Sequence, residues 1–498
     1  MGFEIDYLAL APELILVGTI IAVLLLDLVL PRSAKYLTAI LAVLGVSLSA
    51  LPLLIMAVDG TTRSMFDDSY VVDIFALVLK GLFIVAGYLV LLMSVAYIEG
   101  DRYYQGEYYF LILCSLLGSL VMASSRDLIV LFIGLELTTA PLFMLAGWRK
   151  GDLKSNEASL KYYILGVLST ALMVYGMSLI YGLTGEVSFA GIAAAGGSPS
   201  IEGGETALGL AILLIMVGFG FKVSAVPFHA WAPDTYEGAP TPVTAYLSVN
   251  SKAAGFVGML VILYLALPWA SDYWAPALWI MAAASMTVGN LAALRQSNIV
   301  RLLAYSSIAQ AGFMLVPFAA AAVAGADLAE AFSATVIYLV IYSIMNLGAF
   351  AVVIAGARKT GTGEIDGWAG LGTYDGRLGV LAAVFFFSLA GIPPLAGWFA
   401  KFVMFRSVMT AGGTSTVILA VIAAVNSVIA LYYYARVIKA IWLDEAPAQV
   451  HADADRAHVP AGSLRLALLI TSALTVLVGV YPTLASVFGD ASRVLAAG

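Results

Sequence analysis

Five lysines lie inside membrane-length apolar segments of this chain: Lys80, Lys161, Lys222, Lys252 and Lys401. An ammonium in hydrocarbon costs about 2.5–3.5 kcal/mol even on lenient insertion scales. Such groups must be paired, must line water, or must do chemistry. A lysine stripped of part of its hydration can exchange its proton. A carboxylate that approaches and withdraws then makes a switch: contact holds the charge, separation favours release. Glu136 supplies such a carboxylate, mid-span in L-I-V-L-F-I-G-L-E-L-T-T-A-P-L. Carboxylates at that depth mark ion and proton routes. A structural ion pair is the plain alternative.

Two of the lysines stand beside helix breakers. Pro227 and Pro233 follow Lys222, and Pro393-Pro394 precedes Lys401. Proline removes a backbone donor and clashes with the preceding turn, and the freed carbonyls need protein or water as partners at membrane depth. Charge at a broken helix is the arrangement of an ion pathway. His229, in V-P-F-H-A-W-A-P-D, can relay protons near neutral pH, with a cap or core hydrogen bond as its other use. Lys161 follows Glu157 by four residues, the favoured acid-then-base spacing, so a local surface pair competes with a role in proton movement. Lys80 reads either as a functional charge or, if the third helix is tilted, as a snorkelling one. Asp234 and Glu237, with Pro240 and Pro242, read as a cytoplasmic turn, and Tyr432, Tyr433 and Tyr434 as packing.

These groups have to be held by membrane helices. The 498 residues are 62% hydrophobic and 11% charged, against about 25% charged in soluble domains. Fourteen helices are predicted, at roughly 12–30, 36–57, 71–98, 107–124, 127–148, 156–184, 206–230, 240–267, 276–294, 299–320, 327–356, 378–410, 416–443 and 463–490. The seventh and twelfth are expected to be discontinuous. Residues 1–11 carry no Lys or Arg and no small-residue cleavage site precedes Pro31, so the first helix is expected to remain.

With the N-terminus outside, fifteen of the 24 Lys and Arg fall on cytoplasmic loops and helix ends and four on the outer side. That bias puts both termini outside. Lys222 and Lys401 are 179 residues apart, each beside a break, and the order of lysine and proline reverses between them. An odd number of spans per unit turns a second copy upside down. The expected organisation is 1–106 for three N-terminal helices, 107–267 and 276–443 for two inverted five-helix units, 444–462 for a cytoplasmic loop and 463–498 for a last helix. The repeat is imperfect: Glu136 has no acidic counterpart in the tenth helix, whose polar residues are Ser306, Ser307 and Gln310.

Composition also excludes. One thiol, Cys114, cannot hold an iron–sulfur cluster, a structural zinc or an internal disulfide. His451 and His458 fall in a polar loop, which disfavours a bis-His haem site in the bilayer. No G-x-x-x-x-G-K-[ST] string is present to hold a nucleotide. The net charge of −7 sits mostly in loops and does not point to nucleic acid.

The stretch from Lys222, K-V-S-A-V-P-F-H-A-W-A-P-D-T-Y-E-G-A-P-T-P-V-T-A-Y-L-S-V-N-S-K-A-A, resembles the signature of the antiporter-like membrane subunits of respiratory complex I. D-T-Y-E-G-A-P-T-P-V-T-A-Y-L-S-V, and S-L-A-G-I-P-P-L-A-G-W-F-A-K-F from Ser388, resemble the subunit N branch, called subunit 2 in mitochondria. Mrp-type cation/proton antiporters share the general pattern. The resemblance covers nearly the whole chain. It implies a proton-translocating subunit of NADH–quinone oxidoreductase in a bacterial inner membrane. Glu136 would pair with Lys222; Lys252 and Lys401 would continue a central axis; His229 would stand beside the seventh-helix break, and Lys161 would modulate the pair. It further implies no redox cofactor in this chain, with FMN, iron–sulfur clusters and quinone handled by partner subunits. The implied neighbours are a sister antiporter-like subunit, small membrane subunits and lipid.

Overall fold

A computed structural model describes residues 5–99, 106–196, 204–323, 325–446 and 462–496. Among them, thirteen helices are long and apolar enough to cross a membrane. A fourteenth crossing is built from two 15-residue helices on either side of a break. The chain is an all-α, multi-pass membrane protein.

The helices are α1 (Ala11–Val29), α2 (Tyr36–Asp59), α3 (Ile74–Glu99), α4 (Gly106–Ser124), α5 (Leu128–Ala146) and α6 (Leu153–Thr184). The seventh crossing is α7a (Glu205–Lys222) followed by α7b (Trp231–Gly238). Then come α8 (Thr241–Ala266), α9 (Ser271–Ala293), α10 (Ile299–Leu315) and α11 (Leu328–Thr360). The broken twelfth is α12a (Gly376–Ala390) and α12b (Gly397–Ala411). The chain closes with α13 (Thr414–Leu443), α14 (Gly462–Val480) and α15 (Thr483–Ala496).

Short acidic and amide caps start many of these helices. Asp127 accepts the N–H groups of Ile129 and Val130 at the start of α5, and Asn298 those of Val300 and Arg301 at the start of α10. Asp152, Asp327 and Asp375 do the same for α6, α11 and α12a. Each cap satisfies a donor that the first turn leaves unpaired.

Both expected breaks are present. The chain leaves helical geometry over 223–230, with Ser224 at φ 59°, and over 391–396, with Gly391 at φ 93°. Gly391 is required there twice: a Cβ would also stand 2.8 Å from Lys401 Cδ. The two halves of the chain match in detail. Capping residue Asp127 of α5 bridges to Ser188, just past α6, and capping residue Asn298 of α10 bridges to Glu364, just past α11. α4 lies along α5 as α9 lies along α10. Helices α4–α8 and α9–α13 thus repeat these local features.

Some boundaries differ from the sequence reading. Helix α3 starts at Ile74 rather than residue 71, because Arg63–Met65 (β1) and Tyr70–Val72 (β2) form an antiparallel hairpin. Asp73 then caps the helix through the N–H of Ala76, at 2.8 Å. The hairpin is tied to the start of α1: Asp6 accepts Leu8 and Ala9 N–H and pairs with Arg63 at 2.6 Å. Residues Trp231–Gly238, read as a turn, are helical, since Pro233 sits in the first turn, where proline is tolerated. Helix α14 stops at Val480 instead of continuing to 490, because Pro482 disfavours helical geometry at Tyr481. Residues 447–461 of the expected loop, with His451 and His458, lie outside the described residues.

Helices α8 and α11 are almost wholly buried, whereas α6 and α13 are mostly uncovered. On α13, Val421, Val425, Val428 and Tyr432 make one exposed apolar stripe, as a lipid-facing surface requires. Tyr433 and Tyr434 point inward and are fully buried.

Candidate functional site

Lys222 is the last residue of α7a, not an interior one, and is buried. Its Nζ donates to Thr139 Oγ1 on α5. Thr139 in turn donates to Leu135 O at 2.6 Å, which leaves its lone pairs for the ammonium. Glu136 lies one turn earlier on the same helix. The expected Glu136–Lys222 contact is not made: among the described residues no ion pair within 4.0 Å joins them. Glu136 is half-buried, and its Oε1 is buried with no hydrogen-bond partner in the protein. The structure therefore holds the pair open, with Thr139 as the alternative seat.

Lys252 comes from α8, whose regular turns are interrupted by two π-helical turns, Leu247–Ser251 just before it and Ile262–Ala266 beyond it. Its Nζ donates to Ser307 O on α10 at 2.6 Å. Gly255, one turn on, packs on Lys222: a Cβ there would stand 3.0 Å from Lys222 Cγ. Lys401, in α12b, reaches back across its break to donate to Ala390 O, the last residue of α12a, at 2.7 Å. It also sits over the Phe313 ring, 4.9 Å from its centroid. Lys222 is thus the last residue of a first half-helix, and the Lys401 ammonium reaches the last carbonyl of one, where the macrodipole favours a cation.

Helix α10 carries the link between Lys252 and Lys401. Ser307 offers its carbonyl to Lys252, while its hydroxyl meets Tyr342 at 3.1 Å and Tyr236 at 3.4 Å. One turn on, Gln310 donates to Leu389 O at 3.0 Å, beside the carbonyl that holds Lys401, and accepts from Tyr338 at 2.7 Å. Ser306 meets Tyr434 at 2.5 Å. Sequence reading names Ser306, Ser307 and Gln310 but assigns them nothing, and misses Thr139, Tyr236, Tyr338 and Tyr342. The signal available is a run of buried polar groups in otherwise apolar helices, which need partners. The packing role read for Tyr434 is too small.

His229 sits half-buried on the break, its Nδ1 buried without a protein hydrogen bond. Its described contacts do not join it to a lysine. Lys161 lies away from the axis. It makes the local pair with Glu157 at 2.5 Å and also pairs with Asp234 at 2.6 Å. Arg301 joins Asp234 and Glu237, each at 2.9 Å, and Lys154 meets Glu237 at 2.8 Å. This network clasps α6, α7b and α10. Lys80 does not snorkel: it is fully buried and paired with Glu13.

Among the described residues, no group of three or more His, Cys, Asp or Glu side chains is placed to hold a metal ion. The arrangement offers instead three buried lysines, Lys222, Lys252 and Lys401, each donating to a neutral oxygen acceptor.

Residues 125–429 match the family model described as NADH:quinone oxidoreductase/Mrp antiporter, transmembrane, which spans both broken helices. The chain belongs to this family. It is 40% identical to the NADH-quinone oxidoreductase subunit N of Trichlorobacter lovleyi over 480 residues, 95% of this chain and 94% of the relative. It is similar in structure to a chain of respiratory complex I from Thermus thermophilus, with TM-score 0.76 and 31% identity over 95% of this chain and 98% of that one. A chain of the Mrp complex from Dietzia sp. shares the fold at TM-score 0.84, with 21% identity and 98% of each chain covered.

Proposed function

We propose that this chain is a proton-translocating membrane subunit of an NADH–quinone oxidoreductase. Protons move along Glu136, Lys222, Lys252 and Lys401, with His229 at the first break as a relay and Lys161 tuning the entrance through the α7b clasp. The observation that carries this reading is the open Glu136–Lys222 pair, with Thr139 as a second seat for the ammonium. A lysine seated on a neutral hydroxyl is freer to give up its proton than one held by a carboxylate. Closing the pair restores the charge.

Protons enter from the cytoplasm and leave on the outer side, where both termini lie, and the membrane is the bacterial inner membrane. The two copies are residues 107–267 and 276–443. Each proton moved against 100 mV costs about 2.3 kcal/mol, and quinone reduction in partner subunits supplies it. FMN, iron–sulfur clusters and quinone belong to those partners, and this chain works as a non-redox subunit beside a sister antiporter-like subunit, smaller membrane subunits and lipid.

The test is Lys222→Ala in native membranes, with quinone-reductase rate, proton pumping and assembly followed together. Collapse of both rates in an assembled complex is the expected result. Unchanged rates refute the axis. The shared fold with an Mrp chain supports a second reading, a cation/proton antiporter subunit. It predicts cation-dependent transport with no NADH-oxidising partner.

A further inference from the structure

Outside the axis, a second buried charge group joins α1 to α3 and the hairpin. Lys80 is 0% exposed, Tyr70 5% and Glu13 6%. Lys80 Nζ lies 2.8 Å from Glu13 Oε1 and donates to the Tyr70 hydroxyl at 2.8 Å. Tyr70 donates to the same Glu13 Oε1 at 2.7 Å. Both donors therefore converge on one carboxylate oxygen. The other, Oε2, is buried and has no hydrogen-bond partner in the protein.

A pair that served only to staple two helices would use both oxygens, because a buried acceptor left without its hydrogen bond loses its hydration with nothing in return. A bare buried carboxylate oxygen is a place for a proton. Lys80 beside it is a fixed positive charge that makes occupancy short-lived.

The group is also linked through α3 to α8, which carries Lys252, and directly to the hairpin. On the axis side, Asn250 reaches from α8 to Phe83 O on α3 at 3.2 Å. Asn250 precedes Lys252 by two residues, and Phe83 is one turn beyond Lys80. Asn250 Oδ1 is a further buried acceptor without a protein partner. On the other side, Tyr70 opens β2, and Asp73 just past it pairs with Arg126 at 2.6 Å. Ser124, with a buried unpaired hydroxyl, and the Arg126 N–H to Ser69 O bond of 2.9 Å close that end.

We propose that Glu13, Tyr70 and Lys80 form a proton-release station, an inference that rests on the proton-translocating reading above. A proton coming from the Lys252 region forms an O–H bond at Glu13 Oε2 and neutralises the carboxylate, which opens the ion pair with Lys80. Release breaks that O–H bond toward the hairpin and restores the pair. One proton enters and one leaves, and Tyr70 holds the carboxylate in place throughout.

The test uses the assembled complex in native membrane vesicles. The double variant Glu13→Gln/Lys80→Met removes both charges and leaves none stranded, a change that buried pairs often tolerate. It is expected to assemble and to lose pumping and quinone reduction by about a hundredfold, the low end of what one positioned proton-transfer group supplies. Glu13→Asp, which keeps a titratable group, is expected to retain more of both rates. Assembly with wild-type pumping, or failure of the neutral pair to assemble, overturns the station and leaves a staple. Lys222→Ala runs alongside. Normal pumping in the double variant with collapse in Lys222→Ala overturns the station alone, while normal pumping in both overturns the functional reading as well.

Discussion

Thr139→Val is the sharpest probe of the open pair. Valine keeps the shape of threonine but removes the oxygen that seats the Lys222 ammonium. Hydrogen bonds to charged groups contribute about 1.5–3 kcal/mol. At about 1.4 kcal/mol per factor of ten, the Thr139-seated state loses roughly 10- to 150-fold in population. The ammonium then has Glu136, one turn back on α5, as its nearest charged alternative. The variant therefore favours the closed pair, and each cycle must open it against that bias. Quinone-reductase turnover in assembled membranes is expected to fall about tenfold or more. Thr139→Ser, which keeps the hydroxyl, is expected to restore it. Assembly is read in parallel, so that lost rate is not lost protein. Wild-type turnover in an assembled Thr139→Val complex refutes the argument that Lys222 works by leaving Glu136.

Two more predictions follow from local geometry. Gly391→Ala puts a Cβ at φ 93° and 2.8 Å from Lys401 Cδ; a left-handed alanine costs about 1–2 kcal/mol, so both complex yield and turnover should fall, checked by assembly and rate together. Asp6 sits outside the spans; burial pushes its carboxyl up, but Arg63 and the Leu8 and Ala9 N–H groups outweigh that and hold it below the usual range. A depressed carboxyl stabilises above its unfolded pKa, about 3.9, and loses that effect as pH falls through the folded value. Asp6→Asn should thus lower thermal stability equally at neutral and mildly acidic pH and converge with wild type only below about pH 4; a gap that closes well above that refutes the clasp.

The breaks in the seventh and twelfth helices are legible because proline writes them into the sequence. The two π turns of α8 are not, since Leu247–Ser251 and Ile262–Ala266 contain neither glycine nor proline. The lysines of the axis declare themselves by charge in an apolar run, but their seats do not. Ser307 and Ala390 contribute backbone carbonyls, which every residue has. Thr139 looks like any helix threonine bonded to its own preceding turn. Lys80 is misread because its partner stands 67 positions away, on α1. Glu136 is placed on the right helix, but whether its pair is open or closed depends on about one turn of helix, finer than periodicity resolves.

Lys222 ends α7a, and Lys401 reaches back to the end of α12a. Each lysine thus donates to an uncharged oxygen, a mid-helix threonine hydroxyl for Lys222 and a half-helix terminal carbonyl for Lys401. On the proposed axis, neither seat holds its lysine by a fixed counter-charge. On this geometry the middle of the chain is level ground, with no built-in downhill direction. Directionality has to be imposed at the ends, by whatever partner opens or closes the first pair. On the proposed function the chain is a reversible conductor of charge, and the same path should run backwards when the membrane potential exceeds what the partner supplies.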